Sequence, residues 1–143
     1  MANAASGAAV NDECIAKYTE LQAKKMHRFI TYKLKDQKEI VVDQVVDREA
    51  TYDDFANALP ENDCRYAVYD FEFVTKEDVV DTKIFFISWS PDTAKVRSKM
   101  LYASSSEKFK RGLSGVHVFM HATDASEISV DAIKEKLKGK IKE

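Results

Sequence analysis

Residues 83–103 read KIFFISWSPDTAKVRSKMLYA, and this stretch decides the architecture. Lys83 to Trp89 is apolar on both faces, with Phe85, Ile87 and Trp89 alternating against Ile84 and Phe86, the pattern of a central strand covered by helices on either side. Ser90, Pro91 and Asp92 then read as a helix start: a capping hydroxyl, a proline at the first helical position and a carboxylate near the positive end of the helix dipole. The spacing predicts a helix from Pro91 to about Ala103. At about 100° per residue, Ala94, Ser98 and Leu101 share one side of it, and Val96, Met100 and Ala103 share nearly the opposite side. If the first set faces the core, Val96 and Met100 stand in solvent between Arg97 and Lys99, a face suited to another protein. A helix sunk between neighbours would instead bury both stripes and leave the two cations to snorkel. Periodicity alone allows either.

Upstream, Arg65 to Val74 alternates, with Ala67, Tyr69, Phe71 and Phe73 on one face and Asp70 and Glu72 on the other, which predicts a strand. His27 to Leu34 is β-like, and the polar Lys35 to Glu39 turn joins it to the β-branched stretch Ile40 to Val46 as a hairpin. Thr51 to Leu59 reads as a short helix ended by Pro60. Asn11 or Asp12 caps a helix to about Lys24, with Ile15, Tyr18, Leu21 and Gln22 at helical spacing, and the small residues of Met1 to Val10 predict a mobile arm. Downstream, a shorter helix follows Ser104 to Ser106 and reaches Leu113, Gly115 breaks it, and Val116 to Ala122 reads as a strand. A linker from Asp124 to Ser129 leads to a last helix from about Val130 to Lys138, with Gly139 as its stop. The order of elements predicts an α/β fold, one mixed sheet of about five strands with helices on both faces.

A chain of 143 residues with 45% hydrophobic content fits one domain whose core needs neither metal nor disulfide. No apolar run is long enough to cross a bilayer, and the first ten residues lack the pattern of a signal peptide, so a cytoplasmic location is expected. Cys14 and Cys64, few and far apart, are expected to be reduced packing thiols. Four glycines and no Gly-rich phosphate loop leave no nucleotide site to expect, and no cofactor. The net charge of −2 hides a segregation: Lys95, Arg97, Lys99, Lys108, Lys110 and Arg111 face Glu107 alone, and five lysines face two glutamates between Lys134 and Glu143. Such basic segments are either solvated helix faces or a surface for an acidic partner.

The stretch from Trp89 to Ser105 resembles the long actin-binding helix of the actin-depolymerizing factor/cofilin family. Cys64-Arg65-Tyr66-Ala67-Val68-Tyr69-Asp70-Phe71, Lys83-Ile84-Phe85-Phe86-Ile87 and Ala122-Thr123-Asp124 extend the likeness, and Met1 to Gly7 with Lys25-Met26-His27-Arg28-Phe29 resemble the plant branch. The resemblance runs from about residue 4 to residue 138. It implies a single domain at residues 11–143 behind a flexible arm at residues 1–10, with a five- to six-stranded mixed sheet sandwiched between helices. It implies binding to actin monomers and filaments, a change of filament twist, and severing and depolymerisation without catalysis. By motif, Ser6, Gly7, Val96, Arg97, Lys99 and Met100 contact actin in both states, while Lys83, Lys134, Glu135 and Lys136 touch the adjacent subunit of a filament. The family also implies phosphorylation of Ser6 by a protein kinase and phosphoinositide headgroups on Arg97, Lys99, Lys108, Lys110 and Arg111. A monomer is expected.

Asp81 stands where relatives usually carry a second cation ahead of Lys83, Ser106 replaces a usual lysine and Gly112 a usual acid, while the tail beyond Lys134 is longer and richer in lysine. These departures keep open a filament side-binding or bundling protein with little severing. An enzyme is the other rival: His117 and His121 lie on one side of a strand, but about 13 Å apart, too far to share an ion without bending. Asp70 and Glu72 have no nucleophile with them, and His27, His117 and His121 are expected on the sheet surface. Nucleic acid is not expected, because no exposed stacking aromatics interleave with the cations. Lys24-Lys25 and Lys108 to Arg111 leave passage to the nucleus open.

Overall fold

The apolar stretch before the long helix forms the fifth of six strands in a mixed sheet, in a computed structural model that describes residues 8–142. In chain order the elements are β1 (Ala9–Val10), α1 (Asp12–Gln22), β2 (His27–Lys35), β3 (Glu39–Asp47), α2 (Tyr52–Ala58), β4 (Arg65–Val74), β5 (Val80–Trp89), α3 (Val96–Arg111), β6 (Val118–Ala122) and α4 (Val130–Lys136), with a short 3-10 turn at Ala125–Ile128. The strands lie in the order β1-β3-β2-β4-β5-β6. The pairs β2–β3, β2–β4 and β4–β5 are antiparallel, and the two outer pairs, β1–β3 and β5–β6, are parallel. The α/β fold with helices on both faces of the sheet is as the sequence predicts.

Local chemistry accounts for most boundaries. Asn11 accepts the Glu13 N–H at 2.8 Å and starts α1, Thr51 and Asp54 form a reciprocal capping box on α2, and Ser129 caps α4. The β2–β3 turn is closed by the Lys38 N–H donating to Lys35 O at 3.0 Å, with Asp36 and Gln37 at φ 53° and 59°, the paired positive φ of a primed hairpin turn. Gly115 has φ 85°, a left-handed conformation that favours glycine, where the chain turns back from α3 to β6.

Two cores flank the sheet. Cys14, Tyr18 and Leu21 of α1 meet Tyr102 and Phe109 of α3 over Tyr32, Tyr66, Val68 and Phe86. On the other face Phe55 and Leu59 meet Ile128, Ile133 and Leu137 over Tyr69, Phe85, Ile87 and Trp89. β5 is thus buried on both sides. Cys14 and Cys64 are free and buried, and burial raises the Cys14 thiol to about 12.

Four expectations need correction. Residues 8–10 are not an arm: Ala9 and Val10 pair with Glu39 and Ile40, and Ala8 is buried with its N–H on Ser105 Oγ at 3.0 Å. The long helix does not start at Pro91. Ser90 is spent on the sheet, its N–H on Ala122 O at 2.9 Å and its hydroxyl accepting from the Cys64 thiol at 3.7 Å, so it caps nothing. Pro91 to Ala94 form a turn instead, and α3 begins at Val96 without a side-chain cap. Nor does a break follow Ser104: α3 is one helix of 16 residues, its buried line Tyr102, Ser105 and Phe109, with Ser98 and Leu101 only partly covered. Finally, the polar face expected for β4 is polar only at Glu72. Asp70 is fully buried beside Tyr66 and Val68, with Oδ2 accepting from Arg48 Nη1 at 2.7 Å and Lys25 Nζ at 3.1 Å.

Candidate functional site

A 16-residue helix packed along Tyr102, Ser105 and Phe109 points its opposite side outward, and at about 100° per residue that side carries Val96, Met100 and Glu107. Val96 is 69% and Met100 66% exposed, so the open question of the sequence resolves toward the apolar face in solvent. Single exposed apolar residues are ordinary; two on adjacent turns, framed by cations, form a patch. Arg97 flanks it on one side and donates from Nε to Gln37 Oε1 at 2.8 Å in the β2–β3 turn. Lys99 flanks it on the other and donates to the Asp92 carbonyl at 3.0 Å. The helix end and the turn at Pro91 to Ala94 thereby hold both cations beside the patch rather than over it.

The five cations expected to share an anionic headgroup do not form one cluster. Arg97 and Lys108 follow one flank of α3 and Lys99 and Lys110 the other, with Glu107 and Arg111 on the outward side between them. Lys110 is further engaged, 3.6 Å from Glu107 and 5.3 Å over the ring of Phe119, which is itself 49% exposed on β6. Ser6 and Gly7 lie outside the described residues. Ala8, their neighbour, is fastened to Ser105 on α3.

A second group gathers around the β4–β5 hairpin. Lys83 lies on β5 with its ammonium 3.7 Å from the carboxylate of Asp81, two residues away on the same strand face. Lys134, Glu135 and Lys136 are exposed on α4, and Glu135 lies 4.0 Å from Lys138. The tail that follows docks on the hairpin: Ile141 bridges to Thr75, the Lys142 N–H donates to Val74 O at 2.8 Å, and the Lys142 ammonium pairs with Asp78. Three exposed valines, Val74, Val79 and Val80, surround the hairpin tip. Sequence reasoning began β5 at Lys83 and so missed Val79 and Val80, although an apolar pair between Asp78 and Asp81 was a legible signal. Gln37 was missed for another reason: its partner is 60 residues away.

His27 and His117 are tied to the framework, while the His121 side chain is exposed on β6. His27 is 2.8 Å from Glu20, a hydrogen bond that holds the Glu20 carboxyl below its usual range. His117 Nδ1 accepts the Ile84 N–H at 2.9 Å, and burial with the nearby Lys83 charge keeps its imidazole more acidic than usual. Among the described residues no group of three His, Cys, Asp or Glu side chains is placed to hold a metal ion.

The family model for cofilin/tropomyosin-type actin-binding proteins matches residues 7–138. Actin-depolymerizing factor 3 of Zea mays is 67% identical over 95% of this chain and 99% of its own length, and actin-depolymerizing factor 4 of Oryza sativa subsp. japonica 57% over 96% and 100%. Among solved structures, the chain is similar to Streptomyces griseoflavus cofilin, with a TM-score of 0.85 at 38% identity over 92% of this chain and 98% of that one. Plasmodium berghei actin depolymerization factor 2 follows at 0.82 and 35%, over 92% and 96%. With an outward apolar helix face between two anchored cations, on a fold and sequence shared over nearly all its length, this chain belongs to the cofilin/tropomyosin-type actin-binding protein family.

Proposed function

We propose that this chain binds actin monomers and filaments through α3, alters filament twist, and severs and depolymerises filaments without covalent chemistry, acting in the cytoplasm as a monomer. The observation that carries this reading is the exposure of Val96 and Met100 between Arg97 and Lys99. Methionine and valine supply adaptable apolar area, and the two cations supply register and electrostatic steering toward an acidic partner. Lys83, Lys134, Glu135 and Lys136 form the second surface, used only where a neighbouring subunit is present. A protein held by two adjacent subunits favours whichever filament twist fits both contacts, in proportion to its differential affinity for the two states. Strain then collects where decorated and bare segments meet, and filaments break there.

Regulation follows from the same charges. Phosphorylation of Ser6 by a protein kinase would add about −1.5 to −2 charge to a protein that meets an acidic partner, weakening the contact. Phosphoinositide headgroups on Arg97, Lys99, Lys108, Lys110 and Arg111 would compete with actin for these cations.

The test is sedimentation of actin filaments with the protein and its Arg97→Ala/Lys99→Ala variant, together with binding to monomeric actin. Loss of both activities in the variant supports the reading, and retention of both contradicts it. One observation favours the alternative of side-binding or bundling with little severing: Asp81 sits 3.7 Å from Lys83 and partly neutralises the second surface. Labelled single filaments separate the two, since severing creates new ends and bundling does not.

A further inference from the structure

Four polar side chains are buried among the described residues: Thr31, Asp70, Ser90 and Ser105. Three of them have partners on or beside the sheet. Thr31 donates to Asp43 at 3.0 Å, Asp70 accepts from Arg48 and Lys25, and Ser90 accepts from the Cys64 thiol. Ser105, fully buried on α3, serves a different segment, its Oγ accepting the Ala8 N–H at 3.0 Å from 97 residues away. A serine inside a helix ordinarily turns its hydroxyl back onto the preceding turn. Ser104 does so, donating to Leu101 O at 3.1 Å. An oxygen offered instead to another stretch of chain ties that stretch to the helix.

The tie falls where the chain changes hands. The Asn11 N–H donates to Ile40 O at 2.9 Å and the Ala9 N–H to Lys38 O at 3.0 Å, so residues 9–11 are held by β3. At Ala8 the hold passes to α3, and Ala8 is buried in the core that contains Tyr102 and Phe109. Two peptide units span at most about 7 Å, so holding Ala8 limits the point from which Ser6 and Gly7 can act. Without the Ser105 hydroxyl the Ala8 N–H would be buried and unsatisfied, which favours its release to water. A released segment must be ordered again when a partner binds, at a cost in affinity.

Ser105 takes no part in the outward face of α3. At about 100° per residue it lies about 180° round the helix from Val96 and about 140° from Met100. An effect of Ser105 on a partner of that face is therefore indirect. We infer that Ser105 is a positioning residue: it fixes the point at which the chain leaves α3 toward its amino terminus, and through Ala8 it sets the contact that Ser6 and Gly7 make with actin. The inference rests on the actin reading above, and adds that this contact is governed from inside the core.

The full chain is compared with Ser105→Ala, Ala8→Pro and the two combined, by calorimetric titration against monomeric actin and by amide exchange followed by nuclear magnetic resonance. Ala8→Pro removes the donor and leaves Ser105 in place. In the parent the Ala8 amide is expected to exchange slowly. In Ser105→Ala its protection falls at least tenfold, while the Asn11 amide keeps its own. Each single variant is expected to lose two- to fivefold in affinity for monomeric actin, and the double variant no more than either, because both remove the same bond. A purely structural role for Ser105 would lower the melting temperature and leave affinity unchanged. Unchanged affinity in either single variant, losses that multiply in the double variant, or an unprotected Ala8 amide in the parent would overturn the inference. A parent that binds no monomeric actin rejects the actin reading itself, and the exchange measurement, which needs no actin, tells the two failures apart.

Discussion

The Arg97 Nε–H donates to Gln37 Oε1 at 2.8 Å, joining the first turn of α3 to the tip of the β2–β3 hairpin 60 residues away in sequence. Gln37 holds a positive φ of 59° in a two-residue turn, so the acceptor is presented from a backbone with few alternatives. The guanidinium is thereby set in place before any partner arrives. Replacing Gln37 with Ala is expected to weaken binding to monomeric actin about two- to fivefold, or ~0.5–1 kcal/mol, with the melting temperature unchanged. Calorimetric titration against monomeric actin reads the difference.

Asp81 and Lys83 face one another at 3.7 Å on the surface assigned to the neighbouring filament subunit. Asp81→Lys removes the acid and supplies a second cation. Filament affinity is expected to rise several-fold, while monomer affinity stays as it was, because α3 is untouched. Sedimentation with filaments against binding to monomers separates the two effects.

Asp70 is buried with Arg48 and Lys25 on one oxygen, and its other oxygen has no partner among the described residues. Asp70→Ala leaves two cations turned toward an apolar interior. Breaking a buried pair from one side costs about 3–5 kcal/mol, and Lys25, partly exposed, can swing out to lessen it. Urea unfolding is expected to show a loss near the lower end of that range.

The Ile84 N–H requires a neutral His117 Nδ1 as its acceptor. Burial and Lys83 lower the folded-state affinity of this imidazole for a proton, so the unfolded chain takes one up first as pH falls. The contribution is whole above the ordinary histidine range and is lost as pH drops below it toward the lower folded value. The protection factor of the Ile84 amide is expected to fall across that window in the parent and to stay flat in His117→Asn.

Much of the fold was legible because strands announce themselves through alternation. Arg65 to Val74 and the hairpin at residues 27–47 are the predicted strands, and the double-sided apolar run before Trp89 is an interior strand buried on both faces, though it lies next to the edge strand rather than at the centre. The boundaries of α3 were not legible, for a physical reason. Ser90-Pro91-Asp92 is a good local helix start, but Cys64 and Ala122, distant in sequence, claim the Ser90 hydroxyl and N–H. Asp70 followed the same logic in reverse, since a carboxylate on a strand reads as surface until Arg48 and Lys25 are known to reach it. At the site, the residues Val96, Arg97, Lys99 and Met100 could be named from spacing, but their exposure could not. That depended on Tyr102 and Phe109 fixing the helix by its opposite side.

The most direct measurement is the affinity of Val96→Asp/Met100→Asp for monomeric actin, taken beside its thermal unfolding. Both side chains are in solvent, so the melting temperature should hold while affinity falls at least tenfold, as carboxylates replace the apolar centre of the contact. Unaltered affinity in a stably folded variant would contradict the assignment of this helix face to actin.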